Sequence, residues 1–155
     1  MAYYFAYGSN MNPERVMKRK LPIVSYQAGR LENYRLAFNK RSTIYPGAAS
    51  ANVQAAANAT VEGLLYTLVD DLSIEVMDPF EGYPERYNRF LLPVVTEQGP
   101  LDSWVYLANE AYIQEGLQPA SWYLMHLLAG EPLLSQAYYE RLAATECLPD
   151  SDVEP

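Results

Sequence analysis

One cysteine, one histidine, no long basic run and no long hydrophobic run limit what this 155-residue chain can be. Cys147 alone can make neither an intrachain disulfide nor a multi-cysteine metal site. A nucleophilic Cys147 would want a histidine partner, and it lies instead beside an acidic tail. The only histidine, His126, falls between Met125 and Leu127, where half-buried packing is a simpler role than ligation. A single histidine excludes the common histidine-rich zinc sites, and no residue pair has metal-ligand spacing. The acidic "VDD" at 69–71 reads as a helix cap rather than a magnesium site, so no metal and no cofactor is expected. A net charge of -8 without a basic face argues against nucleic acid. The short "KRK" at 18–20 sits where a helix should end, and cations there suit the helix dipole. No stretch resembles a signal peptide or a membrane span. The expectation is a cytoplasmic protein with neither a nucleic-acid nor a membrane partner; monomer and homodimer stay equally open.

What is present is a composition able to build a core. Half of the residues are hydrophobic, and 14 are tyrosines, whose apolar rings and polar tips suit cores and pocket walls alike. The pattern predicts one domain over 1–146 and a flexible acidic tail over 147–155. Residues 2–7 read as a buried strand. A helix follows, capped by Asn12, opened by Pro13 and closed before Pro22. Strands are predicted at 23–30 and 33–39. Residues 44–59, rich in alanine and asparagine, read as mostly loop with a short strand near 51–53. A central strand is expected at 60–68. Residues 70–78 read as a helix capped by Asp70, with Leu72, Val76 and Met77 facing in and Pro79 ending it. A hairpin is predicted over 87–96 and 101–108, turning at Gln98-Gly99-Pro100. Helices are expected over 119–129 and, capped by Ser135, over 136–145. This is an α+β domain on a mixed or largely antiparallel sheet that can curl into a barrel.

Two segments carry chemistry. In "YFAYGSNM", residues 4–11, an apolar strand stops at Gly8-Ser9-Asn10 just before a helix. Consecutive main-chain amides in such a break can converge on a carboxylate or carbonyl oxygen; a plain strand-to-helix turn reads the same way. In "DPFEGYPERYNR", residues 78–89, Glu81 is flanked by aromatic residues. Desolvation there would raise its pKa and fit it to give and take protons near neutral pH; an exposed loop glutamate is the bland alternative. Tyr87 and Arg89 share a strand face, so either can meet a ligand carboxylate or pair with a surface charge.

Taken together, "YFAYGSNM", "VEGLLYTL", "FEGYPERYNR", "LQPASWYLMHLLAG" and "AYYERL" run in the order seen in the γ-glutamylcyclotransferase-like family, and the chain resembles it over roughly 3–145. The resemblance implies a small mixed β-barrel with packed helices (the γ-glutamylcyclotransferase-like fold). It implies a cofactor-free enzyme in which a small γ-glutamyl substrate's own α-amine attacks its γ-carbonyl. The products are 5-oxoproline and a free amine or amino acid. Carried over, Glu81 matches the general acid/base, Tyr7, Gly8, Ser9 and Asn10 the substrate-holding turn, and Tyr87 and Tyr123 the tyrosines lining the pocket. The irregular 44–59 segment departs from the family's pattern. Phe80, Tyr83 and Trp122 are bulky neighbours that can set which group leaves. A carrier-borne substrate is a further possibility within the family. The competing reading is a non-catalytic binding module that uses the same cavity for a small carboxylate or peptide end.

Overall fold

In the computed structural model, which describes residues 1–149, five strands close into a barrel. They are β1 (Ala2–Ala6), β2 (Ile23–Arg41), β3 (Ala49–Leu68), β4 (Tyr87–Thr96) and β5 (Gly99–Ala108). Their order around the barrel is β1-β3-β2-β4-β5. Neighbours are antiparallel, except that β1 meets β5 in parallel at Tyr4 and Trp104, which shuts the ring. The mixed barrel is the one the family resemblance implies.

Period-2 alternation explains why β1 is apolar throughout. Phe5 faces the barrel interior, packed with Leu31, Val61, Leu65, Val94 and Val105. Tyr4 and Ala6 face outward into a second core with Met11, Val16, Leu64, Tyr66 and Leu127. A strand buried on both faces has no polar stripe. The outer core is covered by α1 (Pro13–Lys18), α3 (Ser121–Leu128) and α4 (Gln136–Ala143). Asn12 caps α1 through Glu14 N, and Ser135 caps α4 through Tyr138 N, as the sequence predicts. His126 joins α1 to α3: Asn12 Nδ2 donates to its Nδ1 (3.0 Å).

Several elements differ from expectation. The two strands expected at 23–30 and 33–39 are one long strand, bulged at Asn33, whose φ is 65°. The 44–59 segment is mostly β3. Ala49, Ala51 and Val53 alternate inward, all at most 4% exposed, and pair with the far half of β2. Asn52 is not a turn residue: its Oδ1 accepts from Ala108 N and its Nδ2 donates to Asn39, clipping the sheet together. The helix expected over 70–78 is a 3-10 turn (Ser73–Val76) followed by the short α2 (Asp78–Glu81). The inward residues there are Ile74 and Met77, while Leu72 is 69% exposed. The β4–β5 turn falls at Glu97-Gln98, one step earlier than expected. Cys147 packs against the outer core and Leu148 N donates to Pro119 O; residues 150–155 of the expected tail lie outside the described residues.

Asp78 fixes α2 to the barrel. Its carboxylate takes two hydrogen bonds from Arg89 (2.8 and 3.0 Å) and one from the Tyr106 hydroxyl (2.7 Å). Arg89 therefore serves the surface-pairing alternative. Both side chains of the pair are 13% exposed, so its loss is felt. Asp78→Asn keeps the shape but weakens a charge-assisted pair, at a cost of about 1–2 kcal/mol. The expected result is a Tm lower by roughly 3–6 °C in a thermal melt.

Candidate active site

One end of the barrel opens into a cavity of about 210 Å³. The sequence-predicted residues Tyr7, Gly8, Ser9, Asn10, Glu81, Tyr87 and Tyr123 all line it. They arrive from the end of β1, the 3-10 turn Ser9–Met11, the end of α2, the start of β4 and the first turn of α3. The volume lies below the roughly 300–1,000 Å³ of drug-sized pockets and suits a small compound. Phe80 and Trp122 line it as well; Tyr83 does not, and packs instead beneath the Arg89 guanidinium.

Among the described residues, Glu81 is the only carboxylate on the cavity wall. Met77, wholly buried, roots α2, and Gly82 ends it in the left-handed conformation with φ 68°. That backbone conformation is the reason for glycine here; a Cβ would also meet the Arg86 guanidinium, which as the end of a flexible side chain can move aside. Asn10, 2% exposed, holds the carboxylate: its Nδ2 lies 3.2 Å from Glu81 Oε1 and 2.9 Å from the Tyr4 hydroxyl. Arg19 Nη1 donates to Asn10 Oδ1 (3.0 Å), and the Tyr66 hydroxyl donates to Asn10 O (2.7 Å). The amide is thus clamped from three directions. Its side chain positions Glu81, a task the turn reading alone does not suggest. Burial pushes the Glu81 pKa up, and the cations Arg19, Lys40, Arg15 and Arg86 pull it partly back.

The turn at 8–10 packs tightly. Met11 N bonds Gly8 O and Asn12 N bonds Ser9 O, so the amides of Ser9 and Asn10 precede the turn's own hydrogen bonds. Gly8 has φ −113°, outside the left-handed region. Its requirement is space: a Cβ would stand 3.1 Å from the Tyr123 hydroxyl and 3.2 Å from Ala51 Cβ.

The tyrosines form a wall whose hydroxyls are already engaged. Tyr7 donates to Tyr106 O, Tyr87 donates to Ala51 O (2.7 Å), and Tyr123 accepts from Ala51 N (2.9 Å). Burial raises all three pKa values, that of Tyr123 to about 12, so they remain protonated at neutral pH. The small Ala51 is what lets two tyrosines reach one strand residue.

Four cations at the cavity escape sequence reading: Arg15, Arg19, Lys40 and Arg86. Arg15 and Arg19 sit four apart on one helical face, a visible spacing, but the "KRK" run draws attention to the helix end instead. Lys40 and Arg86 come from separate elements and carry no local signal. His126 lies off the cavity, with Arg15 Nη1 3.5 Å from its Nε2, and burial lowers its pKa. Among the described residues, no group of three His, Cys, Asp or Glu side chains is placed to hold a metal ion. No helix among the described residues is long and apolar enough to cross a membrane.

The family model described as gamma-glutamyl cyclotransferase, AIG2-like, matches residues 4–124. Among solved structures, a gamma-glutamyl cyclotransferase superposes with TM-score 0.80 at 23% identity, covering 95% of this chain and 89% of the other. An uncharacterized protein from Homo sapiens gives TM-score 0.82 at 24% identity, with the same coverage of both chains. A yeast gamma-glutamyl cyclotransferase specific to glutathione gives TM-score 0.66 at 13% identity, covering 91% and 93%. At these identities the structural likeness is one of fold. A comparison with curated proteins gives no match.

Proposed function

The chain belongs to the AIG2-like gamma-glutamyl cyclotransferase family, and on that premise we propose that it cyclises a small γ-glutamyl compound to 5-oxoproline, with Glu81 as general acid/base. The observation that carries this reading is the Glu81 carboxylate, set in the cavity wall and held by Asn10 of the 8–10 turn. The α-ammonium of the substrate gives its proton to the Glu81 carboxylate. The freed amine attacks the γ-carbonyl carbon, and the new C–N bond closes the ring. The tetrahedral oxygen takes the developing negative charge, facing the amides at 8–10. Glu81 then returns the proton to the leaving nitrogen as the old C–N bond breaks, and the second proton of the ring nitrogen passes by way of the same carboxylate to the freed amine, leaving the neutral lactam of 5-oxoproline and an ammonium ion. Atoms and charges balance within substrate and carboxylate alone. The attack is intramolecular, so folding the substrate correctly replaces much of the entropic cost of bringing reactants together. The tyrosine wall and the engaged hydroxyls favour one bent conformation and limit water.

The test is 5-oxoproline release from a panel of γ-glutamyl dipeptides and γ-glutamylamines, quantified by mass spectrometry with purified protein. Release well above the uncatalysed rate from at least one compound is expected. No release from any of them would overturn the small-molecule cyclotransferase reading.

A further inference from the structure

Lys40 is the odd residue of the cavity. It is 5% exposed, yet among the described residues no carboxylate lies within ion-pair distance of its ammonium. Two rings face it, with Tyr87 and Tyr112 centroids 5.5 and 5.9 Å from Nζ. Aromatic faces offset part of the desolvation of a cation, not all of it. The chain carries 19 acidic residues, and among the described ones none pairs with it.

Its surroundings add to the imbalance. Arg86 and Arg41 both repel Lys40, and only Glu81 attracts it. Among the described residues Arg86 likewise has no carboxylate within ion-pair distance; it folds against Gly82 with Nη1 3.4 Å from Thr43 Oγ1. The other two cavity cations behave differently. Arg15 Nε donates to Ser9 Oγ (3.2 Å) and Arg19 donates to Asn10 Oδ1, so both are tied to the 8–10 turn. Arg15 and Arg19 repel each other, and Lys40 and Arg86 repel each other, while Glu81 feels all four. Two cationic pairs therefore flank one catalytic carboxylate. One pair stands with the turn assigned to the glutamyl half of the substrate. The second, from the end of β2 and the approach to β4, has no glutamyl group left to bind.

We propose that Lys40 and Arg86 form a carboxylate subsite for the leaving group, which makes this chain selective for γ-glutamyl amino acids over γ-glutamylamines. The inference rests on the cyclotransferase reading and specifies its substrate. A carboxylate on the leaving amine supplies the anion that the buried ammonium lacks, and a plain alkylamine leaves Lys40 and Arg86 unneutralised. The Lys40 pKa is lowered to about 8, chiefly by burial. In the free enzyme its charge is therefore lost as pH rises through about 8, against Arg86, Arg41 and Glu81 and the rings of Tyr87 and Tyr112.

The experiment compares γ-glutamyl-alanine with γ-glutamyl-ethylamide, which differ only by the leaving carboxylate, in 5-oxoproline release. Wild type should prefer the alanine compound by about 10–100-fold in kcat/KM, the range of a hydrogen bond to a charged group. Lys40→Met should collapse that ratio toward one, and Lys40→Arg should retain most of it. The wild-type ratio should also decline above pH 8, a change that a purely structural lysine would not produce. Lys40→Met is close in shape and removes a buried charge, so its melting temperature checks that the fold persists. Equal use of both compounds by wild type, or a ratio unmoved by Lys40→Met, overturns the subsite and leaves the cyclotransferase reading intact. Release from neither compound overturns the subsite, while the cyclotransferase reading falls only if the wider panel of γ-glutamyl compounds also gives none.

Discussion

Glu81→Gln should abolish 5-oxoproline release while making the protein more stable at neutral pH. The activity loss follows from chemistry. Glutamine keeps the length of the side chain and an oxygen to accept from Asn10 Nδ2, now 3.2 Å from Glu81 Oε1. It cannot accept a proton from the α-ammonium or return one to the leaving nitrogen. General acid–base catalysis typically contributes about 10²–10⁴-fold, so a loss of that size in kcat is expected. Affinity for a substrate or product should change far less. The same variant separates an enzyme from a binding module, because a module would tolerate it. Residual turnover near wild type would remove Glu81 from the mechanism.

The stability gain follows from linkage. Burial raises the native pKa of Glu81 above the ordinary value of 4.5. The folded state then holds its proton at pH values where the unfolded state has released it. With more protons on the native state, stability falls as pH rises from about 4.5 through the raised native pKa. Glutamine has no such penalty. The melting temperatures of wild type and Glu81→Gln should converge below pH 4 and separate toward neutrality, with the variant higher. Equal separation at all pH values would mean that the four cavity cations cancel the burial. The same raised pKa places the acid limb of kcat/KM above pH 4.5, because only the ionised carboxylate can accept the first proton.

Much of this site is written locally in the chain. The Gly8-Ser9-Asn10 break and the glutamate between aromatic residues each lie within a dozen residues, and caps at Asn12 and Ser135 mark their helices by side-chain type. What stays hidden depends on partners far away. Ala49, Ala51 and Asn52 look like loop because alanine and asparagine are poor strand formers. They form β3 because β2 pairs with them and because only a small residue at 51 admits Tyr87 and Tyr123 to the same strand position. The 70–78 segment offers Leu72, Val76 and Met77 at helical spacing, yet it forms a 3-10 turn that stops at Val76, Pro79 sits in the first turn of α2 instead of ending a helix, and Ile74 and Met77 take the core. The cavity cations are hidden for a related reason. Lys40 and Arg86 lie 46 positions apart, and closure of the barrel brings them to the same wall. Their pairing is a property of topology, not of any motif.

Gly8→Ala should lower kcat/KM by about 10–100-fold, the scale at which a misplacement of ångström size disturbs a preorganised site. The backbone angle is not the obstacle, since φ is −113°. The obstacle is two fixed neighbours. The added Cβ would lie 3.1 Å from the Tyr123 hydroxyl and 3.2 Å from Ala51 Cβ. Neither yields freely: Tyr123 accepts from Ala51 N, and Ala51 is 2% exposed within the barrel wall. The turn must move instead, and it carries Asn10, which holds Glu81. A shift of a few tenths of an ångström at residue 8 thus reaches the proton donor and the amides together. The cost in stability is that of mild overpacking, about 1–2 kcal/mol. A second substitution identifies the clash. Tyr123→Phe removes the crowded oxygen, at the price of leaving the Ala51 amide without its acceptor. In the Gly8→Ala background it should restore part of the lost activity, whereas alone it should lower activity. A double-mutant cycle would report that coupling as a departure from additivity. Additive losses would place the damage elsewhere in the turn, and an unaltered kcat/KM in Gly8→Ala would reduce residues 8–10 to a connector.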